Sequence, residues 1–446
     1  MHSNITKILP SNSLLALAAL ALTYLLGFHI PRSAFMPFIF SYLALFAIGF
    51  VLARQSESKK LAIGLGIAMR VLLLWSTPWL SDDVYRFIWD GKLLANGIHP
   101  FAFTPEEIMQ MANLPDGINT SLFERLNSRE YYTVYPPVNQ GIFVLSAWLA
   151  PGNINGGILI IKLFLLLFEL GSIRLLFAMG RKQTRYASAA ALYALNPLAI
   201  LEVVGNCHFE GAMIFFLIWA MFALQKKKIF TGAVSWALAI ASKLLPLLFV
   251  PLVWKWLGPK KGSGFVVLCF LFCLLLFLPL LTPGILLNMG SSLDLYFQQF
   301  FFNGSLYYLF KFGLQAIGVA QVYKILGLAL APITIGVLLY QFIFRVKKST
   351  SSFSLELGIL WVSFAYLSLS ATVHPWYVLI PFVFSLGTPF RFPWIWTAAV
   401  ALSYSHYSGG GFKENFYLIF LEYAIVWSVL IWELKKQNSI SLPQST

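Results

Sequence analysis

Apolar runs of about twenty residues follow one another through most of this chain, and they constrain its fold more than any other feature. A helix needs roughly 20 apolar residues to cross a hydrocarbon layer, and within that layer the backbone must satisfy its own hydrogen bonds. With 59% hydrophobic and 11% charged residues, the chain lies outside the composition of soluble domains. The fold class expected is an all-α polytopic membrane protein, a single embedded domain over residues 1–446. A net charge of +14 does not signal nucleic acid, because the basic residues cluster in short loops between apolar runs, the positive-inside pattern. Three cysteines make no disulfide framework; Cys269 and Cys273, one helical turn apart, read as packing, and Cys207 stands alone.

The loop charges orient the runs. An N-terminal helix pair fills residues 12–60, its first run kept as an uncleaved span for want of a convincing cleavage site. The RQSESKK loop that ends the pair is placed on the cytoplasmic side, so a third span, 61–80, delivers Asp82 and Asp83 to the outer side. A long outer loop, 81–135, follows. The short run 136–151 is expected to dip in and return, and spans 158–180, 186–204 and 210–225 come next. Basic residues flank 229–256 on both sides, which favours a broken hairpin with its apex near ASKLLP, supported by Pro246 and Pro251. After a span at 263–283, a second outer loop, 284–312, is dense with aromatics and suits an interfacial position. Spans at 317–344, 354–371 and three shorter ones bring the count to about twelve, with both termini cytoplasmic.

Charge in so apolar a chain gathers where chemistry or solvent requires it. SDDVYRFIWDGKLLANGIHPF, residues 81–101, carries the acids Asp82 and Asp83, and at helical spacing Tyr85, Arg86 and Asp90 follow them. The stretch reads as an amphipathic interfacial helix with two acids at its positive end. A single Asp there would be an ordinary helix cap; two adjacent acids followed by Tyr, Arg, Trp and Asp point to function. The turn GNCHFEG groups Asn206, His208 and Glu210, either as caps of the next helix or as site residues, with His374 of VHPWY at another outer helix end. Two such residues do not make a metal site. Lys243 stands inside a long apolar stretch, where a lone lysine costs roughly 2.5–3.5 kcal/mol; its expected partner is Glu169, and otherwise it faces a polar cavity and is available to a phosphate. Arg70 poses the same choice, with a structural role favoured.

The outer side of a membrane has no supply of nucleotide sugars or ATP, so an enzyme working there draws its activated group from lipid. A polyprenyl-phosphate sugar fits: its phosphate leaves with cationic neutralisation, and the acceptor hydroxyl needs one base.

The motifs around these residues, in order SDDVYRFIWDGKLLANGIHPF, TVYPPVNQ with Tyr135, NPLAILEVVGNCHFEGAM, ASKLLPLLFVPL and HPWY, resemble the bacterial GT-C glycosyltransferases that use polyprenyl-phosphate mannose. The first mannosyltransferase of GPI-anchor assembly has a similar plan. The resemblance covers roughly residues 75–385 and implies a GT-C-like helical bundle in a bacterial inner membrane, with interfacial helices in the outer catalytic loop. It implies an inverting transfer of a hexose, mannose first, from a polyprenyl-phosphate donor to a lipid or glycan acceptor. Asp82 or Asp83 would be the base, Asp82 favoured by its spacing to Tyr85. Tyr85, Arg86, Asp90, Tyr135, Asn206, His208, Glu210, Lys243 and His374 would contact substrate. No cofactor or divalent metal is expected, since basic side chains can neutralise a monophosphate. Two departures stand out: the acids are adjacent, where the GPI enzyme separates its pair by one residue, and GNCHFEG has Glu where related bacterial chains often have Asp or Asn. The alternative is a transporter or flippase of a lipid-linked sugar, which would place its ionisable groups near the bilayer midplane.

Overall fold

The computed structural model describes residues 12–54, 59–281, 284–292 apart from 286 and 289, 300–319, 322–348, 352–409 and 411–441. Helices α1 (Asn12–Phe28), α2 (Phe35–Arg54) and α3 (Lys59–Leu72) lead to α4 (Asp83–Ala95). Two single-turn helices, α5 (Pro105–Met109) and α6 (Thr120–Glu124), precede α7 (Pro137–Leu149) and α8 (Ile154–Gly180). Next come α9 (Ala189–Ala194), α10 (Glu210–Gln225), α11 (Ile229–Ile240), α12 (Val250–Leu257) and α13 (Pro259–Phe277). The chain closes with α14 (Leu306–Ala316), α15 (Val322–Tyr340), α16 (Phe353–Leu369), α17 (Leu379–Ser385), α18 (Phe392–Ala399) and α19 (Phe416–Ser441). Among the described residues no strand forms; Phe302 and Thr372 make one isolated parallel bridge.

Among the described residues, three helical stretches, Phe35–Arg54, Pro259–Leu280 and Phe416–Gln437, are long and apolar enough to cross a membrane. They become four if the bent pair Thr184–Ala194 and Ala199–Gly205 is one span. Phe270, Leu275 and Leu278 on the second of these, and Tyr417 and Phe420 on the third, are exposed, a surface that suits lipid and not water. The protein is thus an all-helical bundle with several long apolar helices.

The expected count of about twelve spans is corrected, because several apolar runs are broken into shorter helices. The run 61–80 is helical only to Leu72; a 3-10 turn over Leu73–Trp75 follows, and the chain then runs without helix through Pro78 to the acids. Lys162 of α8 receives the broken end, donating to the carbonyls of Leu73 at 2.8 Å and Ser76 at 2.6 Å. The run 186–204 bends by 56° at Pro197, where α9 gives way to a π-helical turn over Ala199–Gly205. The expected cytoplasmic termini, and the aromatic stretch at 293–299 in the second outer loop, fall outside the described residues.

The expected interfacial helix at 81–101 is α4, and it is enclosed: Val84, Arg86, Phe87, Trp89, Asp90 and Leu93 are all buried. The loop that follows folds back over it, and α7 lies directly against it. Gly91 makes that approach possible, since a Cβ there would run into the Phe143 carbonyl of α7.

Three helices meet on one buried ion pair. Arg70 of α3 lies 2.8 Å from Glu169 of α8 and donates to the Ala194 carbonyl of α9 at 2.6 Å, while the Tyr193 hydroxyl donates to Glu169 at 2.5 Å. Glu169 is therefore not the partner of Lys243; the planar fork of Arg70 serves the carboxylate and a carbonyl at once, which an ammonium point charge does less well. Because removal of one partner from a buried pair leaves an uncompensated charge, Arg70→Met should lower stability by roughly 3–5 kcal/mol. Adding Glu169→Gln should recover part of the loss; thermal unfolding of the purified protein in detergent reads both.

Candidate active site

The acid pair is held by its flanks. Leu80 donates its N–H to the Asn206 side chain at 2.9 Å, and Asn206 in turn donates to the Leu201 carbonyl at 2.7 Å. The end of the π-helical turn thereby fixes the strap that leads into α4. Asp82 occupies the N-cap position of α4 without a capping bond from its side chain. Its carboxylate instead faces Arg32 at 2.5 Å, and the guanidinium lies 4.4 Å above the Tyr407 ring.

Asp83 begins α4 and points elsewhere. Asn127 donates to one of its oxygens at 2.7 Å, and the other is 3.9 Å from His208 Nε2. The Asp83 side chain is 24% exposed against 41% for Asp82, so the pair is asymmetric. Burial pushes the Asp83 carboxyl above the usual carboxylate range, the Asn127 hydrogen bond and the Lys243 charge pull it partly back, and Asp82 adds a small upward push.

Glu202, buried on the π-helical turn, holds the far side of His208, its carboxylate 2.9 Å from Nδ1, and also accepts from the Tyr404 hydroxyl. The imidazole stacks on Trp376 with ring centres 3.5 Å apart, and His374 lies along the same indole at 4.6 Å. Burial first, then the Lys243 charge, push both imidazoles down, His208 also through His374; His374 falls to about 3. Near neutrality both rings are uncharged, so they offer stacking surface and hydrogen bonds and no positive charge.

The cation of this wall is Lys243. It pairs with Glu210 at 3.0 Å and lies 5.7 Å from the Tyr377 ring centre. Its side chain is 26% exposed, leaving the ammonium free hydrogens to offer. The helix ends at Ile240, and Lys243 sits in the turn before Pro246; Trp236 caps that break by donating to the Pro246 carbonyl at 3.1 Å.

Asp83, His208, Glu210, Lys243 and His374 thus gather on one wall, with Asn206 behind it. The edge of the Tyr135 ring packs on Phe87 at 4.8 Å, and its environment includes Asp83. Tyr85 is half-buried beneath the Arg125 guanidinium at 5.3 Å. Arg86 and Asp90 form a separate buried knot at 2.8 Å. Arg86 donates to the carbonyls of Ser128 and Tyr131, each at 2.9 Å, and Asp90 accepts from Thr133 at 2.5 Å and Gln140 at 3.0 Å. The knot staples the loop that carries Asn127 onto α4. Among the described residues no three His, Cys, Asp or Glu side chains are grouped to hold a metal.

A family profile described as "Alpha-(1->6)-mannopyranosyltransferase, N-terminal domain" matches residues 8–258, more than half of the chain. The chain belongs to this family. Among curated proteins it is similar to Alpha-(1->6)-mannopyranosyltransferase A of Corynebacterium glutamicum, 25% identical over 211 residues, 45% of this chain and 39% of that protein. The protein of the same name from Mycobacterium tuberculosis is 25% identical over 192 residues, 42% of this chain and 35% of that one. The alignments span well under half the length of these relatives. The similarity of plan to the GPI-anchor enzyme rests on motifs alone. The family region holds Arg32, Asp83, Asn127, Glu202, His208 and Lys243, while His374, Trp376 and Tyr404 reach the wall from beyond it.

Sequence reasoning did not single out Arg32, Asn127, Glu202, Trp376 or Tyr404 for the wall. Glu202 carried a signal, an acid inside the apolar run of NPLAILEVVG, and Trp376 sits in the HPWY motif; Arg32 and Asn127 look like ordinary loop residues until the chain folds.

A carboxyl whose folded pKa is raised loses stability as pH rises from the ordinary carboxylate value through its folded value, because the folded state holds the proton more tightly. Asp83→Asn should therefore unfold at a higher temperature than wild type at pH 7. The difference should vanish below the ordinary carboxylate range, where Asp83 is protonated in both states; melting curves at the two pH values check it.

Proposed function

We propose that the protein is an inverting membrane glycosyltransferase, moving a hexose from a polyprenyl-phosphate donor to a hydroxyl of a lipid or glycan acceptor on the outer side of the membrane. Mannose is the first sugar to test, given the names of the relatives. The reading rests on one observation above others: a partly exposed carboxylate, Asp83, lies within reach of a neutral imidazole and shares its surroundings with a half-available lysine.

In this reading the ionised Asp83 takes the proton of the acceptor hydroxyl as its oxygen bonds to the anomeric carbon. The bond from that carbon to the phosphate oxygen breaks, and the leaving phosphate gains charge that Lys243 balances. His208, Trp376 and His374 stack into one rigid wall, and His374, the half-buried ring of the three, is the one placed to meet a sugar. Asp82, committed to Arg32, serves to aim the start of α4. Spacing to Tyr85 favours Asp82 as base; the side-chain directions favour Asp83. The transporter alternative gains no comparable observation, since this cluster lies together at one end of α4 and α10.

The proposal is tested with purified protein in liposomes, radiolabelled polyprenyl-phosphate mannose and a lipid extract. Asp83→Asn should lower transfer by roughly 10²–10⁴-fold, the usual weight of a general base, with a smaller loss in Asp82→Asn. Asn127→Ala removes a bond that favours ionised Asp83, so the acidic limb of the pH profile should move to higher pH. Undiminished transfer by Asp83→Asn removes Asp83 from the mechanism, and label that crosses the bilayer still on its donor supports transport instead.

A further inference from the structure

The end of the bundle remote from the acid pair carries a hollow of its own. Helix α10 runs 16 residues from Glu210 to Gln225, about 24 Å at the helical rise, and α11 returns beside it. Glu210 and Lys243 mark one end of this hairpin, and Lys227, in the turn between the two helices, the other. At that far end a cavity of about 760 Å³ opens between the α10–α11 turn, the α12–α13 junction and the segment after Arg345. Its rim holds Lys227, Lys260, Lys261 and Lys348, and its apolar floor includes Leu224, Trp256 and Leu257.

These four cations are unbalanced. Among the described residues none forms an ion pair with an acid. Lys260 and Lys261 follow Pro259 in the first turn of α13, where the free N–H groups and the dipole are already positive. No acid stands in that turn and no side chain caps it. Gly258, in the left-handed region at φ 77°, brings the junction so close to Lys348 that an added Cβ would meet its side-chain carbons at 3.0 Å. The lysine stem is thereby laid against the backbone of the junction. Positive charge from separate chain segments converges on one hollow with an oily floor, beside the exposed Val267, Phe270 and Leu271 of α13.

We propose that this cavity binds the phosphate of an anionic phospholipid headgroup. The rim lysines and the first N–H groups of α13 would take the phosphate oxygens, and the first acyl carbons would lie on Leu224, Trp256 and Leu257. The apolar floor and the continuity with the exposed face of α13 select a lipid over free phosphate. The assignment does not rest on the glycosyl-transfer reading.

The test uses the purified full chain in zwitterionic detergent, with the thermal midpoint read after adding phosphatidylglycerol, phosphatidylcholine or inorganic phosphate. Phosphatidylglycerol should raise the midpoint above phosphatidylcholine. The triple variant Lys260→Gln, Lys261→Gln, Lys348→Gln should lose most of that gain. A control, Lys59→Gln, Lys60→Gln, Lys182→Gln, removes as much charge elsewhere and should keep it. An equal gain from inorganic phosphate overturns the lipid assignment. No gain with phosphatidylglycerol, retention by the first triple, or equal loss in both triples overturns the site.

Discussion

A charge enclosed among apolar helices must find a partner, and the partners chosen here tie the bundle together. Arg70 with Glu169 joins α3, α8 and α9; Lys162 of α8 holds the carbonyls where α3 breaks; Glu210 with Lys243 bridges the start of α10 to the turn after α11. Apolar packing alone would let such helices slide, since lipid is as apolar as their side chains. Each pair is local in space and remote in sequence, so each fixes where two segments meet. The acid pair inherits its position from this lattice of pairings: a broken α3, a lysine accepting the break, and Asn206 holding the strap.

The same constraint separates Asp82 from Asp83. Asp82 meets a guanidinium and is spoken for. Asp83 meets an amide and an imidazole that burial keeps neutral, so its charge is only partly compensated. Such a carboxyl is costly to keep ionised and therefore ready to accept a proton, which is the property a general base requires. Lys243 lies on the same wall but gives its first allegiance to Glu210, which leaves the cation in place without quenching the acid.

The helical class was legible in hydropathy. So was the concentration of charge in the DD stretch, because charge is costly among apolar helices and a run of it stands out there. The span count was not legible, since hydropathy reports that a segment is apolar and not that it is continuous; the turn at Leu73 and the bend at Pro197 cut runs that look whole. The partner of Lys243 was equally hidden. Glu169 is the more buried-looking acid in the sequence, yet the choice depended on which helices meet, and Arg70 reached it. Trp376, the slab between His208 and His374, was in view as part of a motif, but its stacking role follows only from folding the C-terminal third of the chain onto the family region.

Asp83 and Lys243 are the two poles of one site in the proposed reaction, and the most direct measurement is a structure of the protein with an uncleavable polyprenyl-phosphate mannose analogue bound. The phosphate should lie within hydrogen-bond reach of the Lys243 ammonium, with the sugar beside the His374 ring and the face of the anomeric carbon opposite the phosphate open toward Asp83. A phosphate seated away from Lys243, or a sugar with Asp83 on the same side as the leaving phosphate, would contradict it.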